Sequence, residues 1–233
     1  MAAYTQILED LNDGILTLTL NRPDRLNAWT PVMQAELETA IRAAGDNADV
    51  RCIIVTGAGR GFCAGADMNH LQDIQGDTDA GAKSATARVE RSAPEGLEKI
   101  YDGRFGYLYA CPKPIIAAIN GPCAGIGLIF ALFADMRFAA EDAKFTTAFA
   151  QRGLIAEHGI GWLLPRLVGE ANALDLLFTA RVFGGPRRGR YCNGGQLYDI
   201  RLQGRRGEFC RAPRTGLPRQ IDRNRNGTPH RYR

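Results

Sequence analysis

Apolar positions along the chain recur at two alternating periods, and the elements they predict follow one another as strand, helix, strand. Ile7 to Leu20 predicts a hairpin. Asn12-Asp13-Gly14 supplies the turn, and Ile15, Leu16, Leu18 and Leu20, interleaved with threonines, form the second strand. Thr30-Pro31 is an N-cap followed by proline at the first helical position. Met33, Leu37, Ala40, Ile41 and Ala44 then recur at helical spacing and predict an amphipathic helix over Pro31–Ala44. Cys52–Thr56 is a short β-branched run of the kind buried on both faces of a sheet, and Ile115–Ile119 is another. Between them, Asn69–Ser92 has little periodicity and predicts a mobile, partly helical segment. Leu97, Ile100, Tyr101 and Leu108 predict a helix over Pro94–Tyr109, stopped by Pro112 and Pro114. A very apolar helix runs from Gly127 to Phe133, Met136–Ala140 is a further strand, and Phe145 lies in a short one. Trp162–Val168 and Glu170–Thr179 predict short helices. The alternation argues for an α/β fold.

Two of the strands end alike. Cys52–Thr56 runs into Gly57-Ala58-Gly59-Arg60-Gly61 and then Phe62-Cys63-Ala64-Gly65-Ala66-Asp67, where small side chains leave the backbone N–H groups as the chemistry on offer. Ile115–Ile119 runs into Asn120-Gly121-Pro122-Cys123-Ala124-Gly125-Ile126-Gly127. Two such loops can aim two N–H groups at one oxygen, the requirement of an oxyanion hole. The first loop also matches a loose dinucleotide pattern, but Phe62 stands where the third glycine belongs. A plain structural glycine turn is the third reading.

Composition sharpens the organisation. The 233 residues are 45% hydrophobic, enough for a core, with a formal net charge of +4. That charge is unevenly placed: Gly184–Arg233 holds thirteen of the 29 basic residues, all of them Arg, and three of the 25 acids. A mildly acidic body over 1–183 therefore carries a strongly basic tail over 184–233. Met1–Asp10 has neither the basic region nor the apolar core of a signal peptide, and no apolar run is long enough to span a bilayer, so no membrane partner is expected. The six cysteines show no paired metal spacing and read as reduced thiols of a cytoplasmic protein, with no metal site. Only two serines occur, Ser84 and Ser92, and neither sits in a nucleophile elbow.

Asn21–Ala28 (NRPDRLNA), Gly59–Met68 (GRGFCAGADM) and Lys113–Gly127 (KPIIAAINGPCAGIG) together resemble the hallmark segments of the crotonase, or enoyl-CoA hydratase/isomerase, superfamily. Asp135–Phe145 and Gly153–Gly169 extend the resemblance, which covers about residues 4–183. It implies a spiral of ββα units and an acyl-CoA substrate whose thioester carbonyl lies between two backbone N–H groups. Carried onto this chain, those belong to Ala66 and Ile126, the second standing where the family usually has glycine. Ala28, Ala64, Gly65, Asp67, Met68 and Gly125 are then substrate-contacting positions, with Asp67 also read as the cap of a following helix. Arg25 is a contact for the phosphates or adenine of coenzyme A, or else a solvated loop arginine. Coenzyme A is part of the substrate, and no separate cofactor is implied. Cys63 reads as packing rather than a nucleophile.

The resemblance also exposes a departure. The two glutamates that hydratases use fall on Ile129 and Phe149. A third family position falls on Glu157, which makes it the expected acid/base. Its neighbours Ile155, Ala156, Ile160 and Trp162 suggest burial that would raise its pKa. The plain alternative is a loop carboxylate paired with an arginine, and His158 reads as a local hydrogen-bonding residue. After Phe183 the family would continue into an acidic helix and a helical module that covers the site and supports trimers or dimers of trimers. Here that module is replaced by nine Gly, four Pro and thirteen Arg without Lys, a composition expected to be disordered. The missing Lys favours a shifted reading frame over a natural nucleic-acid-binding arm. The activity expected is enoyl-CoA hydration or isomerisation. A catalytically silent CoA-thioester binder and an RNA-binding relative are the alternatives.

Overall fold

The computed structural model describes residues 4–67 and 103–184, together with the backbone of two short strands at 190–193 and 196–199. Its centre is a five-stranded sheet. The strands β1 (Ile7–Asn12) and β2 (Ile15–Leu20) form the expected hairpin, turning at Asp13-Gly14 with both residues at positive φ. Parallel to β2 lies β3 (Cys52–Gly57), then β4 (Ile115–Ile119). A short strand, β5 (Cys123–Ala124), leaves the sheet before β6 (Met136–Ala139) closes it parallel to β4. The fold is α/β, with β1 as the one antiparallel edge.

Each element follows from its pattern. In β2, Leu16, Leu18 and Leu20 are buried while Ile15 and the threonines are half-covered, a period of two. Helix α1 (Pro31–Asp46) buries the five residues that its spacing predicts, Met33, Leu37, Ala40, Ile41 and Ala44, and packs across β1 and β2. It starts where expected: Thr30 Oγ1 accepts the Met33 N–H at 3.1 Å. The expected helix over Pro94–Tyr109 is shorter among the described residues. Gly103 begins a turn, with Gly106 N–H donating to Gly103 O at 2.9 Å, and only α2 (Gly106–Ala110) is helical. Residues 94–102, and the segment Asn69–Ser92, lie outside the described residues.

Helix α3 (Ile126–Phe133) is buried at every position from Ile126 to Leu132, which is why it is apolar all round. A second, three-stranded sheet joins β5 to β7 (Lys144–Thr146) in parallel, and β7 to β8 (Phe183–Gly184) antiparallel. Between β7 and β8, helices α4 (Ile160–Val168) and α5 (Glu170–Thr179) pack on one another and turn at Gly169. Beyond Gly184, β9 (Arg190–Asn193) and β10 (Gln196–Asp199) pair antiparallel inside a stretch whose composition predicts no regular structure. Local chemistry accounts for the difference: the register pairs Asn193 with Gln196, and the sequence between them is Gly-Gly, a dipeptide that favours tight hairpin connections. The rest of 184–233 lies outside the described residues.

The Thr30 cap gives a first prediction. Thr30 Oγ1 also donates to Gln6 Oε1 at 2.5 Å, tying α1 to the chain entering β1. Thr30→Ala removes both bonds and is expected to lower stability by about 1–2 kcal/mol in urea unfolding, with Thr30→Ser close to wild type. An alanine variant as stable as wild type would show that neither bond matters.

Candidate functional site

Because β3 and β4 are parallel neighbours, their following loops emerge at the same edge of the sheet. There the loops are bonded together. The Phe62 and Cys63 N–H groups both donate to Pro122 O at 3.1 Å, and the Ala124 N–H donates to Cys63 O at 2.9 Å. Cys63 and Cys123 face each other as a parallel bridge, both fully buried. The approach is close enough to dictate residue type: a Cβ on Gly127 would lie 2.5 Å from Cys63 Cβ. Gly125 adopts φ 49° and ψ −121°, a region closed to side-chain-bearing residues. A Cβ there would stand 3.9 Å from Gly65 Cα, so the two glycines preceding Ala66 and Ile126 are near neighbours.

The backbone on either side leaves both N–H groups unclaimed by it. Trp29 donates from its N–H to Gly65 O at 2.8 Å and accepts from the Asp67 N–H at 2.9 Å. In a parallel bridge the residue between, Ala66, points its own N–H the other way. Ile126 is the first residue of α3, where helical N–H groups have no partner within the helix. Among the described residues neither N–H donates to a backbone carbonyl. The α3 dipole adds positive potential at Ile126. The Ile126 side chain is only 6% exposed and is part of the core. Ala64 donates its N–H to Leu26 O at 3.0 Å, so its amide is occupied.

The loop 22–29 braces this edge. Arg22 donates to Ala28 O at 2.5 Å and to Asp67 Oδ2 at 2.7 Å. Asp67, expected as a helix cap, thus has an oxygen in a largely covered ion pair, because Trp29 draws its backbone alongside the arginine. Asn27, which the sequence reading passed over, is wholly buried, and its side chain bonds to Arg22, Ala58 and Gly61. No local sequence signal marks it, because its partners Ala58 and Gly61 lie more than thirty residues away. Arg25 is exposed at the rim, and Met68 lies outside the described residues.

Ile129 and Phe149 are 0% and 7% exposed, both in the core. Glu157 is not buried as its neighbours suggested: its side chain is 40% exposed. Of those neighbours only Ile160 turns inward, while Ile155 and Trp162 are 79% and 47% exposed. Glu157 Oε2 lies 3.6 Å from His158 Nε2, too far for a hydrogen bond. His158 takes a left-handed φ of 53° and sets its ring edge-on to Phe105, with centroids 6.4 Å apart. Phe105 in turn packs on Trp29, Phe130 and Phe133, so one aromatic cluster reaches from the Gly65 loop to the Glu157 loop. Burial, and then the nearby Arg104 guanidinium, bring His158 down to about 4, so it is neutral at pH 7 and the contact with Glu157 is not an ion pair. Burial pushes the Cys63 thiol up to about 12 and the Cys123 thiol well above its usual value, which fits packing rather than nucleophilic roles. No group of three or more metal-ligating side chains occurs among the described residues.

The family model described as enoyl-CoA hydratase/isomerase matches residues 10–186. The chain is 42% identical over 170 residues to 1,2-epoxyphenylacetyl-CoA isomerase of Escherichia coli, covering 73% of this chain and 61% of that protein. It is 34% identical to the peroxisomal Delta(3,5)-Delta(2,4)-dienoyl-CoA isomerase of Arabidopsis thaliana, over 77% of this chain and 63% of that one. Among solved structures, an enoyl-CoA hydratase from Polaromonas superposes with a TM-score of 0.65 at 32% identity, over 77% of this chain and 65% of that one. The chain thus spans less than two thirds of these relatives' length.

His158 generates the second prediction. Its folded pKa lies below the unfolded value of about 6.5, so between those values the unfolded chain binds more protons. Stability therefore falls as pH drops from 6.5 toward 4, by an amount on the order of 1–3 kcal/mol. Urea unfolding at pH 7.5 and pH 5 should show this loss, and His158→Asn, which tolerates the same backbone, should shrink it. An equal loss in the variant would place the proton uptake elsewhere.

Proposed function

The chain belongs to the enoyl-CoA hydratase/isomerase family, and on that premise we propose that it binds a CoA thioester and shifts a double bond in its acyl chain. The observation that carries the proposal is the bonded crossing of the two glycine loops, which brings Ala66 and Ile126 to neighbouring positions with N–H groups that donate to no backbone carbonyl among the described residues. A thioester carbonyl placed between them gains two donors as it becomes an enolate oxygen. Each such donor is worth about a hundred- to a thousandfold in rate.

Isomerisation suits the site better than hydration. Hydration must split a held water between an acid and a base, and the two family positions for that task are the buried Ile129 and Phe149. Isomerisation needs one group that moves one proton. The Glu157 carboxylate takes a proton from Cα of a 3-enoyl thioester, and the electron pair delocalises onto the thioester oxygen. The same proton returns to Cγ, giving the conjugated 2-enoyl product with no net gain or loss of atoms. The exposed Arg25 at the rim suits the anionic phosphates of coenzyme A, which is carried by the substrate. The reading requires no other cofactor. Two of the similar proteins above carry names of CoA-thioester isomerases, and the name of one, a dienoyl-CoA isomerase, denotes movement of double bonds, which supports this reading.

The second reading, a silent thioester binder, is favoured by the apolar residues at 129 and 149. One experiment separates the two: α-proton exchange of a 3-enoyl-CoA in deuterated water, at saturating ligand. Wild type is expected to exchange, with Glu157→Gln lower by about a hundred- to ten-thousandfold and binding little changed. Unchanged exchange in the variant would remove Glu157 from the mechanism. Binding without exchange in wild type would establish the silent binder, and equal affinity for the free acid and its CoA thioester would defeat both readings.

A further inference from the structure

The glycine loop after β3 has almost no side chains of its own, yet its backbone is held at four points by two asparagines from different segments. Asn27 accepts the Arg22 N–H at 2.8 Å and donates to Ala58 O at 3.0 Å and Gly61 O at 2.8 Å. Asn120 accepts the Gly57 N–H at 3.1 Å and donates to Gly59 O at 3.0 Å and Gly61 O at 3.3 Å. The two carboxamides converge on one oxygen, Gly61 O. From that point three segments lead to the Ala66 and Ile126 N–H groups. Gly61 continues through Cys63 to Ala66. Asn120 continues through Pro122 to Ile126. Asn27 continues to Trp29, which grips Gly65 and Asp67 on either side of Ala66.

The packing around the junction admits little adjustment. A Cβ on Gly57 would fall 2.8 Å from Asn27 Nδ2 and would collide with Gly61 O. A Cβ on Gly121 would collide with Arg60 O. Asn27 itself holds a left-handed φ of 55° and is entirely buried, with both ends of its carboxamide engaged. A buried polar group satisfied in this way fixes one arrangement, since any slip leaves donors or acceptors unmade. The five-stranded sheet does not need these bonds. Apart from Gly57 at the very end of β3, they reach only the loop beyond it.

We infer that Asn27 and Asn120 are positioning residues, which set the spacing of the Ala66 and Ile126 N–H groups by tying three segments to Gly61 O. The inference rests on the thioester reading above. Small displacements of such donors are costly to rate while leaving ligand binding largely intact.

The test uses a conjugated aryl-enoyl-CoA whose absorption band moves to the red when its thioester carbonyl is polarised. Asn27→Asp and Asn120→Asp each keep an acceptor oxygen and remove the amide donors. Wild type is expected to shift the band, and both variants to lose half or more of the shift with affinity for the thioester within about threefold. Turnover of a 3-enoyl-CoA should show the matching split, with kcat down about tenfold or more and KM little changed. A merely structural role would lower thermal stability and leave the band and the split at wild-type values, which would overturn the inference. If Asn27→Asp does not fold, as near-UV circular dichroism would reveal, the half-exposed Asn120→Asp decides alone by the same criteria. A wild-type complex without any red shift would instead overturn the thioester reading, and the inference with it.

Discussion

Three hydrogen bonds between two loops govern the rest of this molecule: Phe62 and Cys63 to Pro122, and Ala124 to Cys63. They weld the exit of β3 to the exit of β4 and set the direction in which α3 must begin. The parallel register of the central sheet makes the weld possible, because it brings both exits to one edge. The buried aromatic cluster then anchors what the weld directs. Trp29 serves both, with its backbone on Gly65 and Asp67 and its ring against Phe105 and Phe130.

Around this edge the chain keeps charge at the margin. Arg22 and Asp67 neutralise one another beside Ala66, and the two positions where relatives in the family place carboxylates are filled by Ile129 and Phe149 within the core. An apolar surround strengthens any hydrogen bond made to a developing negative charge. For the isomerisation proposed above, the candidate carboxylate is then Glu157, on a loop where its side chain is 40% exposed.

The sequence made the fold legible because strand and helix periods are strong where burial is complete. Ile53 and Val55, Ile115 and Ala117, and the five inward residues of α1 show this directly. The two loops were legible as backbone donors for the same reason, since glycine and alanine leave nothing else to offer. What escaped was side-chain chemistry acting at a distance along the chain. Asn27 in NRPDRLNA looks like any polar loop residue, because nothing local shows that Ala58 and Gly61 will come to it across the sheet edge. The Arg22–Asp67 pair escaped because the two residues lie forty-five positions apart. Glu157 read as buried because adjacency to Ile155 and Trp162 says nothing of which way those side chains turn. The strand pair at 190–193 and 196–199 escaped because arginine-rich composition outweighed the Gly-Gly signal in the sequence.

The paired thiols at the weld have a use beyond packing. Cys63 and Cys123 are sealed from solvent and held protonated, so a thiol-directed reagent meets neither while the loops stay joined. Cys52 and Cys111 are partly open and accept the same reagent sooner. The chain therefore carries an internal stopwatch. The slow phase of its labelling times the parting of the two loops, separately from the unfolding of the sheet behind them.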